Sequence, residues 1–211
     1  MIINIRGTSG TGKSTLVTRL MEQHKVVDTL EEYVLGKRDK IGPRTKMKTV
    51  GYTLDNGIHI VGRYETKCGG CDTIKTQDQV FNLVTTANHH FKHVIFEGLL
   101  TCNSYGRWKD LANETPFFFL FLDTSIETCL DAVVERRIQR GKTPEEAKPD
   151  ERTIYNLTRM YDTNQKNYKK CVQDGLNAAM VNRQGAWDLL LELTQGKLYT
   201  LGTEMRRPLS A

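Results

Sequence analysis

The chain has 211 residues and a mass of 24.1 kDa, of which 38% are hydrophobic and 26% charged, with 17 Gly and 5 Pro. This composition excludes disordered, collagen-like and low-complexity classes, and at about 150 residues per domain the length favours a single domain spanning 1–211. A net charge of +5 and a pI near 8.9 permit an anionic partner such as nucleotide or DNA without requiring one.

Ile2 to Ile5 is a short strand-forming run, followed by Gly7-Thr8-Ser9-Gly10-Thr11-Gly12-Lys13-Ser14-Thr15 and then by Leu16, Val17, Leu20 and Met21 at helical spacing. No apolar run approaches the ~20 residues of a membrane span, and Arg6 interrupts Met1 to Ile5 before a signal-peptide core forms. The expectation is therefore a cytoplasmic protein without membrane contact. Its five Cys are expected to be reduced. Val26-Val27 reads as a short second strand ending near Asp28, with Glu31 and Glu32 after it. A basic stretch follows, Lys37, Arg38, Lys40, Arg44, Lys46 and Lys48, and then a β-hairpin whose arms, Thr49 to Leu54 and Ile58 to Tyr64, flank Asp55-Asn56-Gly57. The basic segment and hairpin read as an insert at about 37–64.

Thr76 to Gln79 is a capping box opening a helix through Val80, Phe81, Leu83, Val84 and Ala87. His93 to Glu97 is a buried-type strand ending in a carboxylate, and Phe117 to Leu122 another, running into Asp123. Ser125 caps a helix that ends in the cluster Arg136, Arg137, Arg140 and Lys142, a lid-like region at about 136–152. A polar helix from about Glu151 to Cys171, a strand at Ala178 to Val181 and a helix at Trp187 to Leu193 complete the chain. Strands alternating with helices predict an α/β fold, a parallel sheet of about five strands with helices on both faces.

Gly7 to Ser14 matches G-x-x-x-x-G-K-[ST] throughout, in the strand-to-helix setting a phosphate loop requires. Glycines let backbone N–H groups face phosphate oxygens, Lys13 reaches the β- and γ-phosphates, and the Ser14 hydroxyl can hold Mg²⁺. Glu97, at the C-terminal end of a hydrophobic strand, stands where a carboxylate orients Mg²⁺ in such folds. Arg136 and Arg140 suit a mobile lid that neutralises charge on a transferred phosphoryl group, or else a solvated basic face opposing the helix dipole. The segment Arg63-Tyr64-Glu65-Thr66-Lys67-Cys68-Gly69-Gly70-Cys71-Asp72 is the most individual. Cys68 and Cys71 with His89 and His93 would make a zinc set, although the spacing is longer than a finger's; a redox Cys-x-x-Cys should open a helix, and here two glycines sit between. The favoured reading is a tight Gly-Gly substrate loop exposing Asp72, an acid able to accept the proton of an attacking hydroxyl.

The phosphate loop from Arg6 to Thr15, the Tyr64-to-Ile74 stretch, and Phe96-Glu97-Gly98 together resemble bacteriophage P-loop kinases that phosphorylate 5-hydroxymethyluracil in DNA, a step toward hypermodified thymidines. The resemblance covers most of the chain, and the second motif is its specific part. The chain departs from the family pattern in a longer, more basic Arg38-to-Lys48 segment and in lacking a Cys-x-x-Pro-Lys-Asn-like run before the polar helix. The resemblance implies a P-loop kinase three-layer αβα fold in an infected bacterial host. It also implies ATP and Mg²⁺ as cofactors and transfer of the γ-phosphate to the hydroxymethyl oxygen of the base in DNA. It makes Asp72 the base and Glu97 the Mg²⁺-side acid, with Glu31 or Glu32 as the rival base. The alternatives are a small-molecule kinase acting on a nucleoside, nucleotide or antibiotic hydroxyl, a P-loop GTPase or motor ATPase, for which no Asn-Lys-x-Asp motif is present, and a DNA-binding zinc module.

Overall fold

The computed structural model describes residues 1–39, 42–65, 69–74, 76–99 and 102–196, with the backbone alone at 35–39 and 42–45. Its elements run β1 (Ile2–Arg6), α1 (Lys13–Gln23), β2 (Val26–Asp39), β3 (Gly42–Leu54), β4 (Ile58–Val61), α2 (Gln77–His90), β5 (His93–Glu97), α3 (Tyr105–Glu114), β6 (Phe117–Leu122), α4 (Ile126–Gln139), α5 (Pro144–Ala147), α6 (Glu151–Gln173), β7 (Ala178–Val181) and α7 (Arg183–Thr194). The strands hydrogen-bond in the order β2-β3-β4-β5-β1-β6-β7, so the fold is α/β with a mostly parallel sheet, as expected. The sheet has seven strands, not about five.

The two additional strands, β3 and β4, are the arms of the expected hairpin, which pair into the sheet, and the correction falls on residues 26–48. Val26-Val27 opens a strand of 14 residues that runs to Asp39 and pairs antiparallel with β3, which in turn pairs antiparallel with β4. β2 is an edge strand whose side chains from Val26 to Glu31 are all exposed, so no alternating apolar face marks its start. Register shifts at Val26/Asp28, Leu30/Glu31 and Leu35/Arg38 blur the remaining period-two signal.

The chain packs as two compact units, Met1–Ile5 with Ser14–Phe118, and Arg6–Lys13 with the chain from Phe119 onward. In the first, β5 pairs parallel with both β1 and β4, placing Ile5 in register with Glu97. Both β1 and β5 are buried along their whole length, the mark of a central parallel strand covered on two faces. Thr76 caps α2 by accepting from the Gln79 N–H, while the Gln79 side chain bonds Glu32 and the Tyr33 carbonyl instead of closing the capping box. Helix α3 was not expected. Its Trp108 is fully buried with ring centroids 5.5 Å from Phe81, 4.5 Å from Phe96 and 6.2 Å from Phe117. One large anchor thus fixes a short helix that lacks a side-chain N-cap bond.

In the second unit β6 pairs parallel with β7, and Ser125, Asp150 and Asn182 each cap the following helix through a side-chain oxygen. The buried Arg6 guanidinium lies over Phe119 at 4.8 Å and Phe121 at 5.8 Å, an aromatic seat that a weakly hydrated cation tolerates. Among the described residues no helix is long and apolar enough to cross a membrane.

Candidate functional site

The loop between β1 and α1 is held by its own side chains and by the turns of its unit. Lys13 Nζ donates to the carbonyls of Gly7 and Thr8, both at 2.9 Å, and Thr11 Oγ1 donates to Thr8 at 3.0 Å. These bonds wrap the backbone around the ammonium of Lys13, which is buried together with Thr8 and Thr11. Gly10 has φ +88, and a Cβ there would collide with the Cys129 carbonyl, so α4 presses on the loop at a position only glycine fills. Thr124 Oγ1 donates to the Thr11 carbonyl at 3.5 Å. Arg183, at the start of α7, donates from Nε to Thr11 at 3.0 Å and from Nη2 to Gly10 at 2.8 Å.

Ser14 and Glu97 meet within the first unit, where the Ser14 hydroxyl donates to Glu97 Oε1 at 2.8 Å. Glu97 is 2% exposed at the carboxyl end of β5. A buried carboxylate is costly unless paired, and here a hydroxyl supplies one partner. Hydroxyl and carboxylate oxygens are the hard donors Mg²⁺ selects, usually one or two carboxylates completed by substrate phosphates, so the pair fits that ion. Among the described residues no cluster of three or more His, Cys, Asp or Glu side chains could hold a metal ion.

The Gly-Gly loop is built onto the same carboxylate. Arg63 and Gly70 exchange both backbone hydrogen bonds, at 3.2 and 2.7 Å, and so close the loop between them. Gly70 lies at φ 87, ψ −166, a region essentially restricted to glycine, and a Cβ there would run into the Glu97 carboxylate. Asp72 follows in a short 3₁₀ turn, Cys71–Thr73, with both carboxylate oxygens 2.8 Å from the Leu99 N–H and the side chain exposed. The backbone just beyond Glu97 therefore orients Asp72. Tyr64 packs edge-on to Tyr52 at 6.2 Å, and its buried hydroxyl has no hydrogen-bond partner among the described residues. Burial, then the nearby Glu97, pushes the Tyr64 phenol well above its usual value, so it stays protonated.

Cys71 is fully buried, its thiol donating to the Val61 carbonyl, and burial followed by the Cys102 thiol holds it well above the usual thiol range. Its Sγ therefore belongs to the core beneath the loop. Of the zinc alternative, Cys68 lies outside the described residues together with Thr66 and Lys67, His93 is buried and His89 exposed. Arg63 pairs with Glu65 at the surface. Arg136 is half-buried and Arg140 exposed at the end of α4, whereas Arg137 is a brace, donating to the carbonyls of Ala147 and Lys148 and to Thr153 Oγ1. Glu31 is exposed on β2, and Glu32 accepts from Gln79. Arg183 was missed by the sequence reading. Its one signal is a cation in the first turn of a helix, where the dipole disfavours it.

No family model matches the chain. It is 30% identical over 201 residues to the 5-hmdU DNA kinase of Pseudomonas phage PaMx11, covering 92% of this chain and 97% of that protein. The chain belongs to the phage 5-hmdU DNA kinase family. Two further members are similar over shorter stretches. The 5-hmdU DNA kinase of Pseudomonas phage M6 is 31% identical over 160 residues, 72% of this chain and 80% of that protein. The 5-hmdU DNA kinase 1 of Salmonella phage ViI is 29% identical over 138 residues, 63% of this chain and 57% of that protein.

Proposed function

We propose that the chain transfers the γ-phosphate of ATP to the hydroxymethyl oxygen of 5-hydroxymethyluracil in DNA. The hydrogen bond of Ser14 to Glu97, directly after an intact phosphate loop, is the observation that carries phosphoryl transfer, and family membership supports the acceptor. Backbone N–H groups and Lys13 would bind the donor phosphates. Ser14 and Glu97 would hold Mg²⁺, which when bound neutralises charge on the phosphates. Asp72, exposed and oriented by the Leu99 N–H, would take the acceptor's proton as its oxygen bonds to the γ-phosphorus and the bond to the ADP oxygen breaks. Arg136 and Arg140 would add positive charge from the end of α4.

Charge and exposed apolar side chains on the β2–β3 ribbon support DNA as the acceptor. Lys46 and Lys48 are on β3 in the basic stretch, and Tyr33, 65% exposed, stands directly opposite Met47, 50% exposed. Lysines bind phosphate backbones, and an exposed aromatic ring can stack on a base. A hydroxyl on a paired base cannot reach a phosphate loop, so the base would be extruded, at a cost of about a few kcal/mol.

The test is to incubate the protein with γ-labelled ATP and hydroxymethyluracil DNA, and separately with the free nucleoside and nucleotide. Label in the polymer is expected, with single-stranded or mismatched DNA at least as good as duplex. Label confined to the free compounds would make the chain a small-molecule kinase.

A further inference from the structure

We propose that Arg183 is a positioning residue of the phosphate loop, a guanidinium clamp that sets the orientation of the Gly12 N–H group; the proposal rests on the reading of the loop as an ATP site. Nε and Nη2 of one planar fork reach two consecutive carbonyls, Thr11 at 3.0 Å and Gly10 at 2.8 Å. A rigid fork suits paired acceptors in a way that a lysine ammonium does not. A trans peptide holds its C=O and N–H antiparallel, so each fixed carbonyl fixes the N–H of the next residue. Fixing Gly10 C=O sets the Thr11 N–H, which turns inward to the Thr8 carbonyl at 3.4 Å. Fixing Thr11 C=O turns the Gly12 N–H to the side of the loop opposite Arg183, and so toward a ligand held by the N–H face.

Two independent features agree with a clamp. A Cβ at Gly12 would approach Arg183 Nε to 3.3 Å, so the glycine leaves the guanidinium its place. The cation also begins a helix already capped by Asn182, whose Oδ1 accepts from the Gly185 N–H at 2.9 Å, so α7 gains nothing electrostatically from an arginine there. A residue that opposes a local preference marks a function elsewhere. The field of the clamp reaches α4: burial pushes the Cys129 thiol up, while Arg183 and then Lys13 pull it back.

The test compares Arg183→Ala and Arg183→Lys with Gln184→Ala, an exposed neighbour whose side chain donates to Asp188 along the helix. ATP binding is read from the rise in melting temperature with added ATP, which needs no acceptor, and steady-state KM and kcat are measured for ATP and for DNA. Arg183→Ala should raise the ATP KM by roughly 10- to 100-fold and shrink the ATP-induced rise in melting temperature. It should leave the DNA KM and the nucleotide-free melting temperature close to wild type. Arg183→Lys, able to serve one carbonyl at a time, should fall between, and Gln184→Ala should match wild type. Wild-type ATP affinity in a folded Arg183→Ala variant overturns the clamp; if that variant does not fold, wild-type affinity in Arg183→Lys overturns it. A wild-type protein that ATP stabilises but that leaves DNA unlabelled would refute the acceptor and not the clamp. A wild-type protein that ATP does not stabilise would refute the ATP site and the clamp with it.

Discussion

Replacing Gly70 by Ala tests whether the Gly-Gly loop supports the Glu97 carboxylate. At φ 87, ψ −166 any other residue is strained, by about 1–3 kcal/mol. The added Cβ would also stand 2.9 Å from the Glu97 carbonyl oxygen, which belongs to a buried strand and cannot retreat, and would overlap the carboxylate itself. The side chain can escape only by turning away from Ser14, losing a hydrogen bond to a charged group worth roughly 1.5–3 kcal/mol. The expected loss is about 3–6 kcal/mol. For a chain of this length that is a fall in melting temperature of roughly 6–24 °C. The control is Gly106→Ala in α3, where nothing lies within 4 Å of an added Cβ, so relief of unfolded-chain entropy should stabilise by about 0.4–1 kcal/mol. Calorimetry gives both shifts, and kinase assays across a Mg²⁺ titration should show Gly70→Ala needing more metal and turning over more slowly. A Gly70→Ala variant with wild-type melting, turnover and Mg²⁺ dependence would show that the loop does not bear on Glu97.

Asp72→Asn should lower kcat by roughly 10²- to 10⁴-fold with ATP affinity nearly unchanged, because proton acceptance matters only in the transition state; normal kcat with weakened ATP binding would move the base to Glu31 or Glu32. Changing Lys46 and Lys48 to Gln should raise the KM for DNA, leave that for ATP alone and reduce the log–log salt slope by about one unit per lost phosphate contact; no effect on DNA would favour a small-molecule acceptor. His59, stacked on Phe91 at 4.4 Å, is driven by burial to a pKa of about 4. The native state therefore keeps it neutral while the unfolded chain binds a proton below about pH 6.5, so stability is full above that pH and falls toward pH 4 by up to about 3 kcal/mol. Urea melts across that window should show the fall and His59→Gln should lessen it, the remainder coming from His93, which burial also lowers to about 4, whereas identical slopes in both proteins would refute the assignment.

The parts legible in the sequence are those whose physics is local. The phosphate loop is one contiguous string, with a strand before it and a helix after it, and Glu97 ends a run of apolar residues that only a buried strand explains. Arg183 was illegible because its partners, Gly10 and Thr11, are carbonyls more than 170 residues away in the chain, and carbonyls carry no residue signature. The long ribbon was misread because β2 is bulged and exposed, so its period-two pattern carries no burial signal.

The Gly-Gly pair shows how a correct local reading can miss the larger construction. Read as a turn, it exposes Asp72, and Asp72 is exposed. Yet the turn alone does not require two adjacent glycines. Gly69 lies against the Arg63 carbonyl and the Tyr64 ring, and Gly70 lies against the Glu97 carboxylate, so each removes a Cβ from a different close contact. The Leu99 N–H then ties Asp72 to the backbone two residues past Glu97. The Gly-Gly stretch and the Glu97 carboxylate are thus one piece of structure. If Asp72 is the base and Glu97 the metal-side acid, the loop sets the distance between the two carboxylates. A substitution at Gly69 or Gly70 should then impair transfer to DNA even where both carboxylates remain.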